Sequence, residues 1–212
     1  MLKFGGTSVS SAANWHNIAQ VVRARIAEGF RPAIVHSALS GVTDQLDALL
    51  AAVMQGSHAP ILEHIELAHR ALAERLNVKP NSQFEEFFTE LRGLTNALAE
   101  HRRVDDSVRA RVMAMGELLA TTLGAEFLNA QGIGTRWIDA RGVLHADERL
   151  NATQKASLLS ATCDFAPDLK LQSDWRVLGG VIITQGFIAS NAAGETVLLG
   201  RGGSDKIGRA HV

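Results

Sequence analysis

The run from Leu2 to Phe4 passes directly into Gly5-Gly6-Thr7-Ser8 and then into a stretch of helical periodicity, and this junction constrains the fold more than any other feature of the chain. From Ala12 to Glu28 the apolar residues Trp15, Ile18, Val21, Val22 and Ile26 recur at helical spacing, with Gly29 as a stop. Pro32 to Val35 then reads as a buried parallel strand. Strand, glycine turn, helix and strand make a βαβ unit with a right-handed crossover. Backbone N–H groups in such a turn, with the open donors of the following helix, can cradle a phosphate, and Lys3 stands beside them as counter-charge.

The rest of the chain extends this α/β reading. Val42, Leu46, Leu49, Leu50 and Val53 mark a helix ending near Gly56. Between Ala59 and about Gln131 no strand is expected; the periodic segments break near Asn77 to Asn81 and again at His101 to Asp105, which describes a helical insert over about 59–131. Its last helix should start at Asp105 or Asp106 and turn Val108, Val112, Met115, Leu118, Leu119 and Leu123 inward. Thr135–Ile138 and Val181–Thr184 read as strands, and the Asn191–Gly194 turn suggests a hairpin between Ala189 and Leu199. Leu150 to Trp175 carries no clear pattern. A second glycine-rich turn, Leu199-Gly200-Arg201-Gly202-Gly203-Ser204-Asp205, again follows an apolar run.

Composition removes several classes of function. With 212 residues and 46% hydrophobic content the chain can bury one sizeable core. Its 21 basic and 22 acidic residues leave a formal charge of -1, so nothing marks a nucleic-acid or anionic-membrane surface, and any anion must be bound locally. The single cysteine, Cys163, excludes an intrachain disulfide and reads as a small buried residue. No apolar run reaches membrane-spanning length and no signal-peptide pattern opens the chain, so a cytoplasmic location is expected. There is no GxxxxGK[ST], GxGxxG, Gly-x-Ser-x-Gly or HExxH, and no metal site is expected. His58, His64 and His69 do not share a helix face and read as solvated.

Four groups of residues could carry chemistry. Lys3 at a strand end could offset charge spreading over a transferring phosphoryl group. Ser37, Ser40, Gly41 and Thr43 follow the second strand, at the carboxyl edge where open α/β sheets gather ligands, although Ser40 or Thr43 could equally cap a helix. Glu117 interrupts an apolar helix face; it is either a buried carboxylate in need of a cationic partner or a residue of the solvated side. The Arg201 fork suits a carboxylate, while a surface pair with Asp205 would explain both residues without function.

Taken together, Lys3–Ser8, Ser37-Ala38-Leu39-Ser40-Gly41-Val42-Thr43, Met115-Gly116-Glu117 and the turn ending at Asp205 resemble the aspartate kinases of the amino-acid kinase superfamily in order and spacing. The resemblance implies a three-layer α/β sandwich with a mainly parallel sheet and a helical insert. It implies transfer of the γ-phosphoryl of ATP, with Mg²⁺, to the side-chain carboxylate of L-aspartate, in an enzyme that is a homo-oligomer. By the same resemblance Lys3 and Asp205 are catalytic; Lys3, Gly5, Gly6, Thr7, Gly202 and Gly203 hold the ATP phosphates; and Ser8, Ser37, Thr43, Glu117, Arg201 and Ser204 bind substrate. Glu117 would take the substrate ammonium, Arg201 a carboxylate, and Asp205 would orient the basic groups. A kinase for glutamate or an N-acyl amino acid is the second enzymatic reading, and a non-catalytic aspartate-binding fragment the third.

The family's kinase domain continues beyond this second turn, whereas here seven residues follow Asp205. The segment Ile207–Val212 is also what the sense strand of a common sequencing-library adapter would encode, so 1–205 is expected to be the N-terminal part of a catalytic domain and 206–212 a non-native tail. On that expectation the chain lacks the nucleoside contacts and is inactive alone.

Overall fold

Three short strands and one longer one build a parallel sheet: β1 (Leu2–Phe4), β2 (Ala33–His36), β3 (Thr135–Trp137) and β4 (Val181–Gln185), in the spatial order β1-β2-β4-β3. The computed structural model describes residues 1–148, 152–164, 166 and 168–200. Register is set by Leu2 opposite Ile34, Ile34 opposite Ile183, and Trp137 opposite Ile183. β5 (Ile188–Ser190) and β6 (Thr196–Leu198) form the expected antiparallel hairpin around the Asn191–Gly194 turn.

The helices are α1 (Gly6–Val9), α2 (Ala12–Ala27), α3 (Val42–Val53), α4 (Ala59–Arg75), α5 (Ser82–His101), α6 (Asp106–Ala130), α7 (Gln154–Leu159) and α8 (Leu169–Leu178). The last two start in the segment whose sequence carries no clear pattern. The breaks of the insert fall where expected: Asn77 and Arg102 adopt positive φ, and the side chains of Asn81 and Asp105 cap α5 and α6. Arg70 binds Glu66 within α4 at 2.9 Å and Glu85 of α5 at 2.8 Å, and Arg92 of α5 also reaches Glu66. Burial of Glu66 works against the arginines, which still hold its pKa below the usual carboxylate range.

Alternation along β2 separates two cores, making three layers. Ile34 packs with α2, α3 and α6 residues, while Val35 packs on the other face with Leu158, Ala161, Ala189, Val197 and Leu199, from α7, the hairpin and the segments that follow them. α6 is the central helix of the Ile34 core: from Val112 to Leu128 it is buried on nearly every side, so it has no solvated face along that stretch. Full burial of Leu118, Leu119, Leu123 and Phe127 contributes about 1.5–3 kcal/mol each. Two glycines let it sit that deep. A Cβ on Gly116 would lie 2.9 Å from Ala38 Cβ, and one on Gly124 would lie 2.4 Å from the Trp15 ring.

Three sequence expectations need correction. In α2 only Trp15, Ile18, Ala19 and Val22 form the buried stripe; Val21 and Ile26 point outward because they lie off that face. His69 is fully buried, edge-on to Phe84 and Phe88, with Nδ1 bonded to the Ile65 carbonyl at 2.7 Å, so the helical block holds a core histidine. Cys163 is only partly buried.

Candidate active site

The loops that leave β1 and β2 are built against each other at the carboxyl edge of the sheet. Gly5 is the extended residue before α1, and a side chain there would meet no atom within 4 Å; a Cβ on Gly6 would lie 2.8 Å from the Ala38 carbonyl oxygen. Neither glycine is needed for a positive φ. Gly6 is required because backbone meets backbone, and Gly5 leaves its peptide open to approach. Ser10 ties the two loops: its hydroxyl donates to the Gly6 carbonyl at 2.6 Å and accepts from the Ser40 amide at 2.8 Å. The Ser37 amide donates to the Phe4 carbonyl at 3.2 Å, extending the ladder one step past the strands.

Gly41 is the N-cap of helix α3; its φ of +79° places it in the left-handed region, and no side chain caps the helix. Ser40 and Thr43 therefore do not serve as caps, and that alternative is excluded. Thr43 is exposed in the first turn, beside Val42, which lies against Gly116. Lys3 and Thr7 are exposed, and Ser8 and Ser37 partly buried, around the same edge.

Glu117 is only 5% exposed, which overturns the solvated-side reading. Its Oε2 accepts hydrogen bonds from the amides of Gly186 and Phe187, both at 2.8 Å, in the turn that follows β4. Burial pushes its pKa from 4.5 up to about 7, against the downward pull of the two amides and of the Lys3 ammonium. This carboxylate is poised between charge states and lies within electrostatic reach of Lys3. A further cation at its second oxygen would favour the ionised form.

Sequence reading missed the polar residues around the backbone of Glu117. Thr121, one turn along α6, donates to the Glu117 carbonyl at 2.7 Å and accepts from Gln185 Nε2 at 2.7 Å and Trp137 Nε1 at 2.9 Å. Gln185 in turn accepts from the Ala140 amide at 2.7 Å. The visible signal was Thr184-Gln185-Gly186, a polar pair and a glycine closing a buried apolar strand. The Leu199 amide donates to the Phe187 carbonyl at 2.8 Å, so the strand leading to the second glycine turn ends beside the Glu117 turn. Arg201, Gly202, Gly203, Ser204 and Asp205 lie outside the described residues.

Lys3, Gly5, Gly6, Ser37 and Glu117 thus converge on one sheet edge, whereas a cleft of about 180 Å³ lined by Arg31 and Trp175 opens at the opposite, amino ends of β2 and β4. Among the described residues no group of three metal-ligating side chains stands together, and no helix is long and apolar enough to cross a membrane.

A glycine turn after β1, interlocked with the loop after β2 and faced by a buried glutamate, is matched along nearly the whole sequence by one family model, "Amino acid kinase family", over residues 1–210. The chain belongs to the amino acid kinase family. It is 33% identical over 205 residues to lysine-sensitive aspartokinase 3 of Escherichia coli and 29% identical over 206 residues to an aspartokinase of Chlamydia trachomatis; each alignment covers 96% of this chain and 43% of the relative. The crystal structure of E. coli aspartokinase III with aspartate and ADP superposes with a TM-score of 0.78 at 31% identity, over 96% of this chain and 44% of that one. A Clostridium acetobutylicum aspartate kinase, at 20% identity and a TM-score of 0.69, shares the fold. The chain spans less than half the length of these amino acid kinase relatives.

Proposed function

We propose that this chain forms the aspartate-holding side of a kinase that transfers the γ-phosphoryl of ATP to the side-chain carboxylate of L-aspartate. The observation that carries the reading is the convergence of Lys3, the open Gly5 peptide, the Ser37 loop and buried Glu117 on one sheet edge. A solved relative of 31% identity holding aspartate and ADP supports it. Phosphoryl transfer of this kind rests on positioning and charge compensation.

In this reading Lys3 neutralises charge on the transferring phosphoryl, and the Gly5 and Gly6 amides, with Thr7, approach its oxygens. Glu117 takes the substrate ammonium at the oxygen left beside its two backbone donors. Ser8, Ser37, Thr43 and, beyond the described residues, Arg201 and Ser204 shape the acid pocket. ATP enters as its Mg²⁺ complex, the ion travelling with the phosphates and spreading their charge. Gly202, Gly203 and Asp205 complete the phosphate side.

Calorimetry on the 212-residue chain tests this. Aspartate should give saturable heat that glutamate does not match, and Glu117→Gln should weaken it by about tenfold or more while leaving the fold intact. Equal heats from aspartate and glutamate would favour another amino-acid kinase, and no heat from either would reject the site.

A further inference from the structure

His36 closes β2 directly behind Ser37 and is 1% exposed. Its Nδ1 lies 2.8 Å from the Ser37 carbonyl oxygen. A carbonyl only accepts, so Nδ1 must carry the proton, which leaves Nε2 as a bare acceptor. That Nε2 is buried and finds no hydrogen-bond donor. The ring stands edge-on to Trp15, centroids 5.4 Å apart at 80°. Trp15 is itself fixed: its Nε1 donates to the Val9 carbonyl at 2.9 Å, and its ring fills the space that the missing Cβ of Gly124 leaves.

An orphaned nitrogen in a core position is a cost that leucine or phenylalanine would avoid. The return on that cost is at Nδ1. Ser37 is held at its amide by Phe4 and at its carbonyl by His36, so both peptide groups of this residue are fixed from the sheet side. Burial keeps the ring neutral, lowering its pKa to about 4 against the upward pull of the carbonyl, so the hold does not change across the neutral range.

We propose that His36 is a positioning residue of the acid pocket: its Nδ1–H holds the Ser37 carbonyl and thereby fixes the Ser37 loop against the Gly5-Gly6 turn in the geometry that receives substrate. The inference rests on the aspartate-site reading above, and concerns a residue that touches no substrate itself.

The test compares the 212-residue chain with His36→Phe, which keeps the packing on Trp15 and loses the donor, and His36→Asn, whose amide nitrogen can occupy the place of Nδ1. Three readouts are taken: the tautomer of His36 by long-range ¹⁵N–¹H NMR, the Ser37 carbonyl ¹³C shift, and aspartate affinity by NMR titration, with Trp fluorescence to verify folding. The expected result is an Nδ1–H tautomer, a displaced Ser37 carbonyl shift and roughly tenfold weaker aspartate binding in folded His36→Phe, the range expected for one buried hydrogen bond, and recovery to within about threefold in His36→Asn. An Nε2–H tautomer, unchanged affinity in His36→Phe, or equal loss in both variants would overturn the proposal. An unaltered chain that takes no aspartate overturns the substrate reading instead. The hold on Ser37 is then judged by the tautomer and carbonyl shift alone, and an unmoved shift in His36→Phe overturns it.

Discussion

Burial of Glu117 makes a measurable prediction about stability and pH. The carboxyl rises from 4.5 to about 7 on folding. Below the lower value it is protonated in both states and contributes no pH dependence. Between the two values the folded chain retains a proton that the unfolded chain has lost, so stability falls as pH rises; above about 7 the loss is complete. At about 1.4 kcal/mol for each pKa unit, the ionised side chain leaves the fold about 3 kcal/mol less stable than it is in acid. Glu117→Gln cannot ionise, and its amide oxygen can still accept from Gly186 and Phe187. Denaturant unfolding of both proteins at about pH 5, 6, 7 and 8 gives a difference in which other titrating groups cancel. That difference should move in favour of the variant by about 2–3 kcal/mol from the lowest to the highest pH. A difference constant to about 0.5 kcal/mol would refute the claim that burial governs this carboxyl. The same logic reverses with ligand: an aspartate ammonium against Glu117 favours ionisation, so binding near pH 6 should release a proton, seen as a buffer-dependent heat.

Other perturbations separate packing from chemistry. Gly6→Ala should destabilise the chain by about 1–3 kcal/mol in urea unfolding, because its Cβ meets the Ala38 carbonyl at 2.8 Å, whereas Gly5→Ala should leave stability within about 0.5 kcal/mol. Gly124→Ala should cost about 2 kcal/mol or more, read by thermal melting, and shift Trp fluorescence, since the new methyl enters the Trp15 ring. In an enzyme of the relatives' full length carrying this segment, Lys3→Ala should lower kcat for aspartate-dependent ADP release by about 100-fold or more, with a smaller change in aspartate KM.

The βαβ opening, the insert with its two breaks and the hairpin were legible because each depends on local spacing and turn chemistry. Ser11, Asn81 and Asp105 cap helices from positions next to the elements they start. The partners of Glu117 were not legible. They are backbone amides 69 and 70 residues away, and an amide has no side-chain identity to read. Helix α6 left the placement of Glu117 open for a physical reason: a helix buried all round has no polar stripe against which to judge one acid. His69 failed similarly, since spacing among histidines says nothing of the two phenylalanines that enclose one of them.

The sheet order has a consequence for how this chain comes into being on the ribosome. β4 is the last of the four parallel strands to be synthesised, yet it lies between β2 and β3, which pair with β4 and not with each other. Until β4 emerges, β3 has no partner in the sheet and Glu117 lacks the amides that hold it. The helical insert, rich in near-neighbour contacts, can take shape earlier, while the sheet waits on pairings such as Ile34 with Ile183. A nascent chain stopped before Val181 therefore leaves β2 and β3 without their shared neighbour and Glu117 without the amides of Gly186 and Phe187.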